Sequence, residues 1–198
     1  MIAKRIFDLF FTIPGIVVLL PIFIFIATWI KLDTKGPVFF RQERVGYREK
    51  YFKIFKFRTM VTDAEKRGKQ ITIGEDTRIT RSGRFLRKYK LDELPQLINV
   101  LIGDMSLVGP RPEVPRYVRE YTNEEKDIVF SVLPGITDYA SIEYRDENEV
   151  LGRADNPEKA YIEEVLPIKI TYYKKYVMER TLWGDFVIVM RTVLAIAK

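Results

Sequence analysis

The sequence predicts a mostly helical α+β protein, with an N-terminal membrane helix, a short β-hairpin and amphipathic interfacial helices around a small domain. The run from Leu9 to Ile30 carries no charged residue, which is typical of a membrane segment. Val38–Gln42 and Tyr51–Phe57 alternate apolar and polar residues, as short strands do. With 198 residues, the chain has the usual length of one domain and can bury a core.

The composition restricts the chemistry that the protein can perform. The chain contains neither cysteine nor histidine, which excludes disulfides, thiolate sites, Ser-His-Asp triads and histidine-ligated zinc. A net charge of +6 and a pI near 9.4 indicate an anionic partner, such as nucleic acid, a lipid surface or a phosphorylated substrate. Any catalysis must therefore rest on carboxylates, Lys, Arg, Tyr and a hard metal ion.

The apolar run from Leu9 to Ile30 predicts attachment to a membrane. As a helix it is long enough to cross a bilayer core of about 30 Å, and no small-residue cleavage site follows it. Pro21 lies in its middle, where proline removes a helix hydrogen bond and bends the axis. Cations flank both ends, so the positive-inside tendency gives no clear orientation. From the residues alone, a spanning helix and a re-entrant helix both remain open.

A β-hairpin is expected directly after the membrane run. Val38–Gln42 and Tyr51–Phe57 would pair as its two strands, with Gly46 between them. Lys56 and Arg58 come at the end of the second strand. They form either a solvated strand end or a clamp for phosphate near the acidic residues described next.

The stretch from Lys90 to Pro112 contains two adjacent acids, a predicted helix and a Gly-Pro-Arg-Pro turn. Apolar residues at helical spacing predict that the helix runs from about Asp92 to Leu101. Pro95 is compatible only with a helix start, which places the acids in the first turn. Free backbone N–H groups and the macrodipole favour anions at that position. The predicted polar face of the helix carries Asp92, Gln96 and Asn99, with Glu93 at its edge.

The acid pair of Asp92 and Glu93 has two interpretations. Adjacent acids at a helix start often serve only as N-cap and dipole compensation. Here, however, cations precede the pair, and Arg111 follows in a turn between two prolines. Carboxylates hold a divalent metal or attack phosphorus, while Arg and Lys neutralise phosphate oxygens, so the pattern favours phosphoryl transfer. The preceding cations are Arg81, Arg84, Arg87, Lys88 and Lys90.

Further elements are predicted along the rest of the chain. Residues 61–79 are expected to form a loop beside the acids. Thr80–Tyr89 is basic and amphipathic, which suits either an anionic membrane surface or an ordinary surface helix. Helices are predicted from Pro115 to Val132 and from Asn156 to Lys175. The last apolar segment, which Arg191 interrupts, is expected in the core or at the membrane interface.

A polar and aromatic stretch follows the Pro-Gly turn at residues 133–137. Tyr139, Tyr144 and Arg145 in this stretch are of the types that stack on, or hydrogen-bond to, a nucleotide or sugar. Tyrosine in a short element more often serves packing. Both interpretations stay open at this point.

These motifs resemble those of the bacterial sugar transferase family, the monotopic polyprenyl-phosphate phosphoglycosyl transferases. They occur in the family's order and cover almost the whole chain, and the long motif with the acid pair is highly specific. The matching pieces are KRIFD, the proline within the apolar run, GPVFFRQERVG, FKIFKFRTM, LDELPQLINVLIGDMSLVGPRP and LPGIT.

The resemblance implies that a sugar phosphate passes from a UDP-sugar to polyprenyl (undecaprenyl) phosphate with release of UMP, the first membrane step of surface glycan synthesis. It implies that Asp92 is the nucleophile of a covalent phosphosugar intermediate and that Glu93 is the supporting acid. Mg²⁺ is the implied cofactor, held by both acids, because magnesium prefers oxygen ligands. Arg111 is the implied phosphate-binding residue, and Lys56 and Arg58 match the family's basic pair. A helix N-terminus with arginine nearby is expected to keep Asp92 ionised.

The resemblance also implies a re-entrant helix that is broken at Pro21. Residues 1–33 would then be the membrane anchor, and residues 34–198 a catalytic domain on the cytoplasmic face of the bacterial inner membrane. The chain would be a minimal catalytic version of the family. After LPGIT the sequence departs from the family's pattern and reads DYASIEYRDE. Arg145 is the candidate equivalent of the family's phosphate-binding arginine there, and the nucleotide-sugar contacts stay open.

The expected partners are a UDP-sugar, polyprenyl phosphate and membrane lipid. No nucleic acid is expected, and a homo-oligomer is left open. Two alternatives remain: a membrane-tethered protein that binds anionic lipid without catalysis, and a magnesium-dependent phosphatase that acts on the lipid. The binding protein explains the charge and the anchor, but not the acids, the polar helix face and the fixed Arg111 together. A magnesium requirement and the release of UMP would discriminate between these functions.

Overall fold

A computed structural model describes residues 2–64, 76–143 and 151–197. The architecture is mostly helical with a few short strands, as the sequence predicts. In chain order the elements are α1 (Ile2–Asp33), β1 (Phe39–Val45), a 3₁₀ turn (Tyr47–Glu49), β2 (Tyr51–Phe57), α2 (Arg81–Lys88), a 3₁₀ turn (Leu91–Glu93), α3 (Gln96–Ile102), β3 (Ser106–Val108), α4 (Pro115–Val118), α5 (Asn123–Val129), β4 (Gly135–Thr137), α6 (Tyr139–Glu143), α7 (Pro157–Ala160), a π turn (Tyr161–Val165), α8 (Leu166–Glu179) and α9 (Leu182–Ala197).

The strands form two small pairs. β1 and β2 are antiparallel, with Phe39 opposite Phe57, which confirms the predicted hairpin. β3 and β4 form a parallel pair that the sequence analysis did not predict. The two strands approach so closely that a Cβ on Gly135 would lie 2.1 Å from the backbone nitrogen of Gly109. Only glycine fits there, and the close contact fixes the start of the Gly-Pro-Arg-Pro turn.

Two predicted helix boundaries need correction. The single helix expected from Pro115 to Val132 is two short helices, α4 and α5. The chain leaves the helical conformation at Thr122 (φ −65°, ψ 160°), whose side chain caps α5 in a capping box with Glu125. The helix expected from Asn156 to Lys175 begins as predicted, with Asn156 as its cap, but contains a π turn and continues to Glu179.

The core is divided into three clusters of buried apolar side chains. One joins α4, α5, the π turn and α8, and Tyr173 is its most buried tyrosine. The second packs α3, β3 and α9 against the N-terminal part of α1, where Phe7 and Phe11 contribute. The third packs Ile26 and Ile30 of α1 against β2 and α2. Helix α1 therefore contributes to two separate clusters.

Helix α1 reverses the burial pattern of a soluble helix. It is the one helix among the described residues that is long and apolar enough to cross a membrane. Several of its apolar side chains are exposed, Val17 and Val18 by 66% and 73%, whereas Asp8 and Thr12 are fully buried. An exposed apolar surface of this kind is what contact with lipid requires. The helix continues through Pro14 and Pro21 to Asp33, so Pro21 does not end it, and the bend expected at Pro21 stays a prediction.

Both ends of α1 are fastened to the rest of the protein by polar contacts. Near the N-terminus, the Arg5 guanidinium donates to the carbonyl oxygens of Val100 and Leu101 at 2.5 and 2.9 Å. At the other end, the Asp33 carboxylate accepts hydrogen bonds from the backbone N–H and hydroxyl of Ser82 at 2.8 and 2.7 Å. The N-terminal and C-terminal ends of the apolar helix thus contact the same domain.

Candidate active site

The acid pair lies in a tight turn between α2 and α3. Lys90 adopts a left-handed conformation (φ 56°), and Leu91–Glu93 forms a 3₁₀ turn before Pro95. Pro95 occupies the N-cap position of α3, which begins only at Gln96. The prediction that the acids lie in the first α-helical turn is therefore wrong. Proline has no N–H to donate and begins the helix after the acids rather than within it.

The predicted polar face of α3 is buried. Asn99 is fully buried and fastens strand β2: its side-chain oxygen accepts from the Phe55 N–H at 2.8 Å, and its nitrogen donates to the Lys53 carbonyl at 3.0 Å. Gln96 is also buried. Asn99 thereby sets the position of β2 beside α3, which brings Lys56 to the acid pair.

Glu93 lies between two cations. The Lys56 ammonium is 2.7 Å from Glu93 Oε1, and the Arg111 guanidinium forms an ion pair with the same oxygen. Burial opposes the charge on Glu93, but Arg111 and Lys56 outweigh it and hold the pKa of that carboxyl well below its usual range. Glu93 raises the pKa of Arg111 in return. Glu93 is therefore an ionised carboxylate that holds two cations in place.

Asp92 has the opposite environment. It is half-buried, and within the described residues its side chain makes no hydrogen bond or ion pair to another residue. Burial and the neighbouring charge of Glu93 raise the pKa of Asp92, although Lys56 and Arg87 oppose the shift. The pKa of Asp92 is therefore shifted upward, which is the opposite of the shift that a helix N-terminus and a nearby arginine were expected to cause. The α-helix begins too late in the chain, and Arg111 binds Glu93 instead.

The acid pair opens onto a cavity of about 1110 Å³. This volume is sufficient for a ligand of nucleotide-sugar size. Its wall includes Arg44, Lys56, Arg87, Asp92, Glu93 and Arg111.

The other predicted site residues are Arg58, Tyr139, Tyr144 and Arg145, of which the structure describes the first two. Arg58 donates to the carbonyl oxygens of three residues that follow α1, at 2.6 to 3.0 Å, so its guanidinium fixes the chain at the end of the membrane helix. Tyr139 packs against the second core cluster, which agrees with its packing interpretation. Tyr144 and Arg145 lie outside the described residues, so their predicted roles remain predictions. The three carbonyl groups belong to Thr34, Lys35 and Pro37.

Sequence reasoning missed several polar residues of the cavity. Arg44 belongs to β1, Glu113 follows the Gly-Pro-Arg-Pro turn, and Tyr161 opens the π turn. These positions are far apart in the chain and meet only in the fold. The one sequence signal was the position of Glu113, two residues after Arg111.

The donor set fits a magnesium ion that is bound jointly with phosphate. Within the described ranges, no group of three or more acidic side chains is placed to hold a metal. Asp92 and Glu93 are the two candidate protein ligands. Magnesium in phosphate-handling sites commonly takes one or two carboxylates and completes its shell with water and substrate phosphates.

The apolar helix, the acid pair and its cations together define a membrane-associated protein suited to carboxylate-based phosphate chemistry. Comparison with known proteins agrees with this class. The chain belongs to the bacterial sugar transferase family, whose model, described as "Bacterial sugar transferase", matches residues 1–198.

Three relatives illustrate the similarity. A Bacillus subtilis protein, whose provisional name is that of an undecaprenyl-phosphate N-acetylgalactosaminyl 1-phosphate transferase, is 42% identical over 153 residues, covering 77% of this chain and 81% of the relative. The UDP-N-acetylgalactosamine-undecaprenyl-phosphate N-acetylgalactosaminephosphotransferase of Aeromonas hydrophila is 37% identical over 195 residues, 98% of this chain. The UDP-glucose:undecaprenyl-phosphate glucose-1-phosphate transferase of Escherichia coli is 36% identical over 196 residues, 97% of this chain. The chain spans only 43% and 39% of the lengths of the last two proteins.

Proposed function

We propose that this protein is a phosphoglycosyl transferase that moves a sugar phosphate from a UDP-sugar to a polyprenyl phosphate. The observation that carries the proposal is the contrast within the acid pair. Glu93 is ionised and holds two cations, while Asp92 borders the cavity with a carboxylate that no other described residue pairs with. The family and the named activities of the relatives support the same reaction class.

In the first half-reaction, a carboxylate oxygen of Asp92 attacks the phosphorus that carries the sugar. A new P–O bond to Asp92 forms as the P–O bond to UMP breaks, and UMP leaves with the bonding electrons. Lys56 and Arg111, which pair with the adjacent Glu93, neutralise the charge on the phosphate oxygens. The product is a phosphosugar bound to Asp92.

In the second half-reaction, a phosphate oxygen of the lipid attacks the same phosphorus. The bond to Asp92 breaks, the carboxylate is regenerated, and the sugar phosphate is now linked to the lipid as a diphosphate. Neither half-reaction requires a general base, because both nucleophiles are anions, which is consistent with a chain without histidine. A magnesium ion bound at Asp92 and Glu93 would supply charge neutralisation at the phosphates.

The membrane geometry that we propose is re-entrant, with both ends of α1 on the cytoplasmic face of the bacterial inner membrane. It is supported by the contacts of Arg5 and Asp33, which fasten opposite ends of the helix to one domain. Residues 1–33 would form the anchor, and residues 34–198 the catalytic domain. Single cysteines placed just before Lys4 and just after Lys35 should be labelled from the same side of the membrane. Labelling from opposite sides would establish a spanning helix.

The reaction is tested by identifying its products. Purified protein with Mg²⁺, polyprenyl phosphate and a panel of UDP-sugars should release UMP and form a lipid-diphosphate sugar, with ping-pong kinetics. Release of inorganic phosphate from the lipid would identify a phosphatase. Binding of lipid without either product would favour the membrane-tethered binding protein. Asp127→Asn is a matched control, because Asp127 is an exposed acid outside the cavity wall.

A further inference from the structure

A second set of polar side chains lines the cavity and is not used by the acid pair. We call this set the inner wall. Three of its members, Glu113, Tyr161 and Lys169, are only 5%, 4% and 3% exposed. Buried charged and polar groups are costly unless the fold or a ligand satisfies them. The inner wall consists of Arg44, Glu113, Tyr161 and Lys169.

The inner wall is held in a fixed arrangement. The Tyr161 hydroxyl donates to Glu113 Oε1 at 2.6 Å, and the Lys169 ammonium lies 5.2 Å from the centroid of the Tyr161 ring. Arg44 donates to the Pro112 carbonyl at 3.0 Å and to Gln42 Oε1 at 2.7 Å. In the described part of the chain, Tyr161 makes the one hydrogen bond to the Glu113 carboxylate, which leaves Oε2 available to a ligand.

Arg44 connects the inner wall to the acid pair. Its guanidinium donates to the carbonyl of Pro112, which lies between Arg111 and Glu113 in the chain, and all three charged residues line the same cavity. A ligand with its phosphate at Arg111 can therefore extend along Arg44 toward Glu113. The backbone adds a second indication, because Tyr161 opens a π turn, a rare conformation that occurs frequently at functional sites.

The chemistry of the inner wall suits ring hydroxyl groups better than it suits phosphate. A carboxylate accepts hydrogen bonds from hydroxyls but repels phosphate, whereas guanidinium and ammonium groups donate to hydroxyl oxygens. Neighbouring hydroxyls on a sugar ring donate and accept at once and so satisfy both kinds of partner. The surroundings of the acid pair differ, because Lys56, Arg87 and Arg111 gather there and favour phosphate.

We propose that the inner wall is the subsite that binds the sugar ring of the donor, with Glu113 accepting hydrogen bonds from ring hydroxyls. This inference rests on the proposed function, because it assigns the part of the UDP-sugar that lies beyond the reacting phosphate. Glu113 and Tyr161 are then the residues that distinguish one UDP-sugar from another. A site built to hydrogen-bond hydroxyls discriminates strongly against sugars that place them elsewhere.

The test measures equilibrium binding in the full-length Asp92→Asn protein, which does not turn over. The ligands are UDP-N-acetylgalactosamine, UDP-N-acetylglucosamine, UDP-glucose and UMP. Adding Glu113→Gln, which keeps the size of the side chain and an acceptor for Tyr161, should weaken the best UDP-sugar by about tenfold or more. The affinity for UMP should stay within about twofold, since UMP lacks the sugar that the enzyme would transfer. Glu158→Gln is the matched control, because Glu158 pairs with Arg116 outside the cavity wall.

Each possible binding result leads to a different conclusion. An equal loss for UMP and the UDP-sugar would place the nucleoside, not the sugar, at the inner wall and overturn the proposal. Unchanged affinity for both would also overturn it. If no UDP-sugar binds even to Asp92→Asn alone, the proposed function itself is contradicted. Tyr161→Phe, which keeps the ring, provides a second variant if Glu113→Gln does not fold, and it should weaken the UDP-sugar by about threefold or more.

Discussion

Glu93 and Asp8 are both carboxylates that pair with a lysine, but Glu93 belongs to the cavity wall and Asp8 does not. Glu93 pairs with Lys56 and Arg111 at the cavity wall. Asp8 of α1 pairs with Lys4 at 2.9 Å and accepts hydrogen bonds from the Ser106 hydroxyl at 3.0 Å and from the Leu107 N–H at 3.1 Å.

The difference lies in what borders each cluster. Lys4 also reaches Asp185 at 2.9 Å, and the cluster around Asp8 is enclosed between α1, β3 and α9. It fastens the membrane helix to the domain. The cluster around Glu93 instead borders Asp92, whose carboxylate lies at the cavity and pairs with no other residue in the described ranges. A buried ion pair alone thus indicates structure, whereas an accessible reactive group next to it indicates a site.

The largest effect is expected from Asp92→Asn. An amide cannot attack phosphorus as the carboxylate does, so turnover should fall by at least about 10³-fold. Measured UMP release should drop to background, while Asp127→Asn stays near the native rate. Near-native turnover by Asp92→Asn would refute the assignment of the nucleophile.

A smaller loss is expected from Arg111→Lys. Lysine keeps the charge but not the planar guanidinium, so steady-state kcat/KM should fall by about 10²-fold. Glu93→Gln should also reduce turnover strongly, because it releases both cations. By contrast, Arg58→Lys should act mainly on stability, since the hydrogen bonds of the Arg58 guanidinium within the described residues all go to backbone carbonyls. A loss of kcat/KM in a stably folded Arg58→Lys protein equal to that in Arg111→Lys would contradict this distinction.

The enclosed cluster should control stability. Asp8→Asn leaves Lys4 and the backbone of β3 with a weaker partner, and the free energy of unfolding should fall by about 3 kcal/mol. Thermal denaturation in detergent measures this change. Asp92→Asn should not lower the transition temperature, because burial already disfavours the ionised carboxylate there. A lower transition temperature in Asp92→Asn than in Asp8→Asn would reverse the comparison.

The pH dependence should separate the two members of the acid pair. Asp92 must be ionised to attack, so the rate of the first half-reaction rises with pH through its pKa, which lies above the usual range for aspartate. Glu93→Gln removes a negative neighbour and should move this acid limb to lower pH. Lys56→Gln removes a positive neighbour and should move it to higher pH. Identical limbs in all three proteins would show that another group titrates.

The sequence predicted the hairpin, the long apolar helix and the grouping of the acid pair with Arg111, because each depends on local pattern or on a specific motif. It did not predict the environment of Asp92, because that environment depends on which of the two acids Arg111 pairs with in the folded protein. The polar residues of α3 are an example of the same limit. Helical spacing places Asn99 on a polar face, but only the packing of β2 shows that this face is buried.

The central claim is that Asp92 is the covalent nucleophile, and intact-protein mass tests it most directly. The native protein is mixed with each UDP-sugar and Mg²⁺, without a lipid acceptor. We expect a mass gain of one sugar phosphate with the accepted donor, its loss after polyprenyl phosphate is added, and no gain in Asp92→Asn. Full UMP release on addition of lipid, with no adduct beforehand from any donor, would contradict the claim and establish direct transfer within a ternary complex.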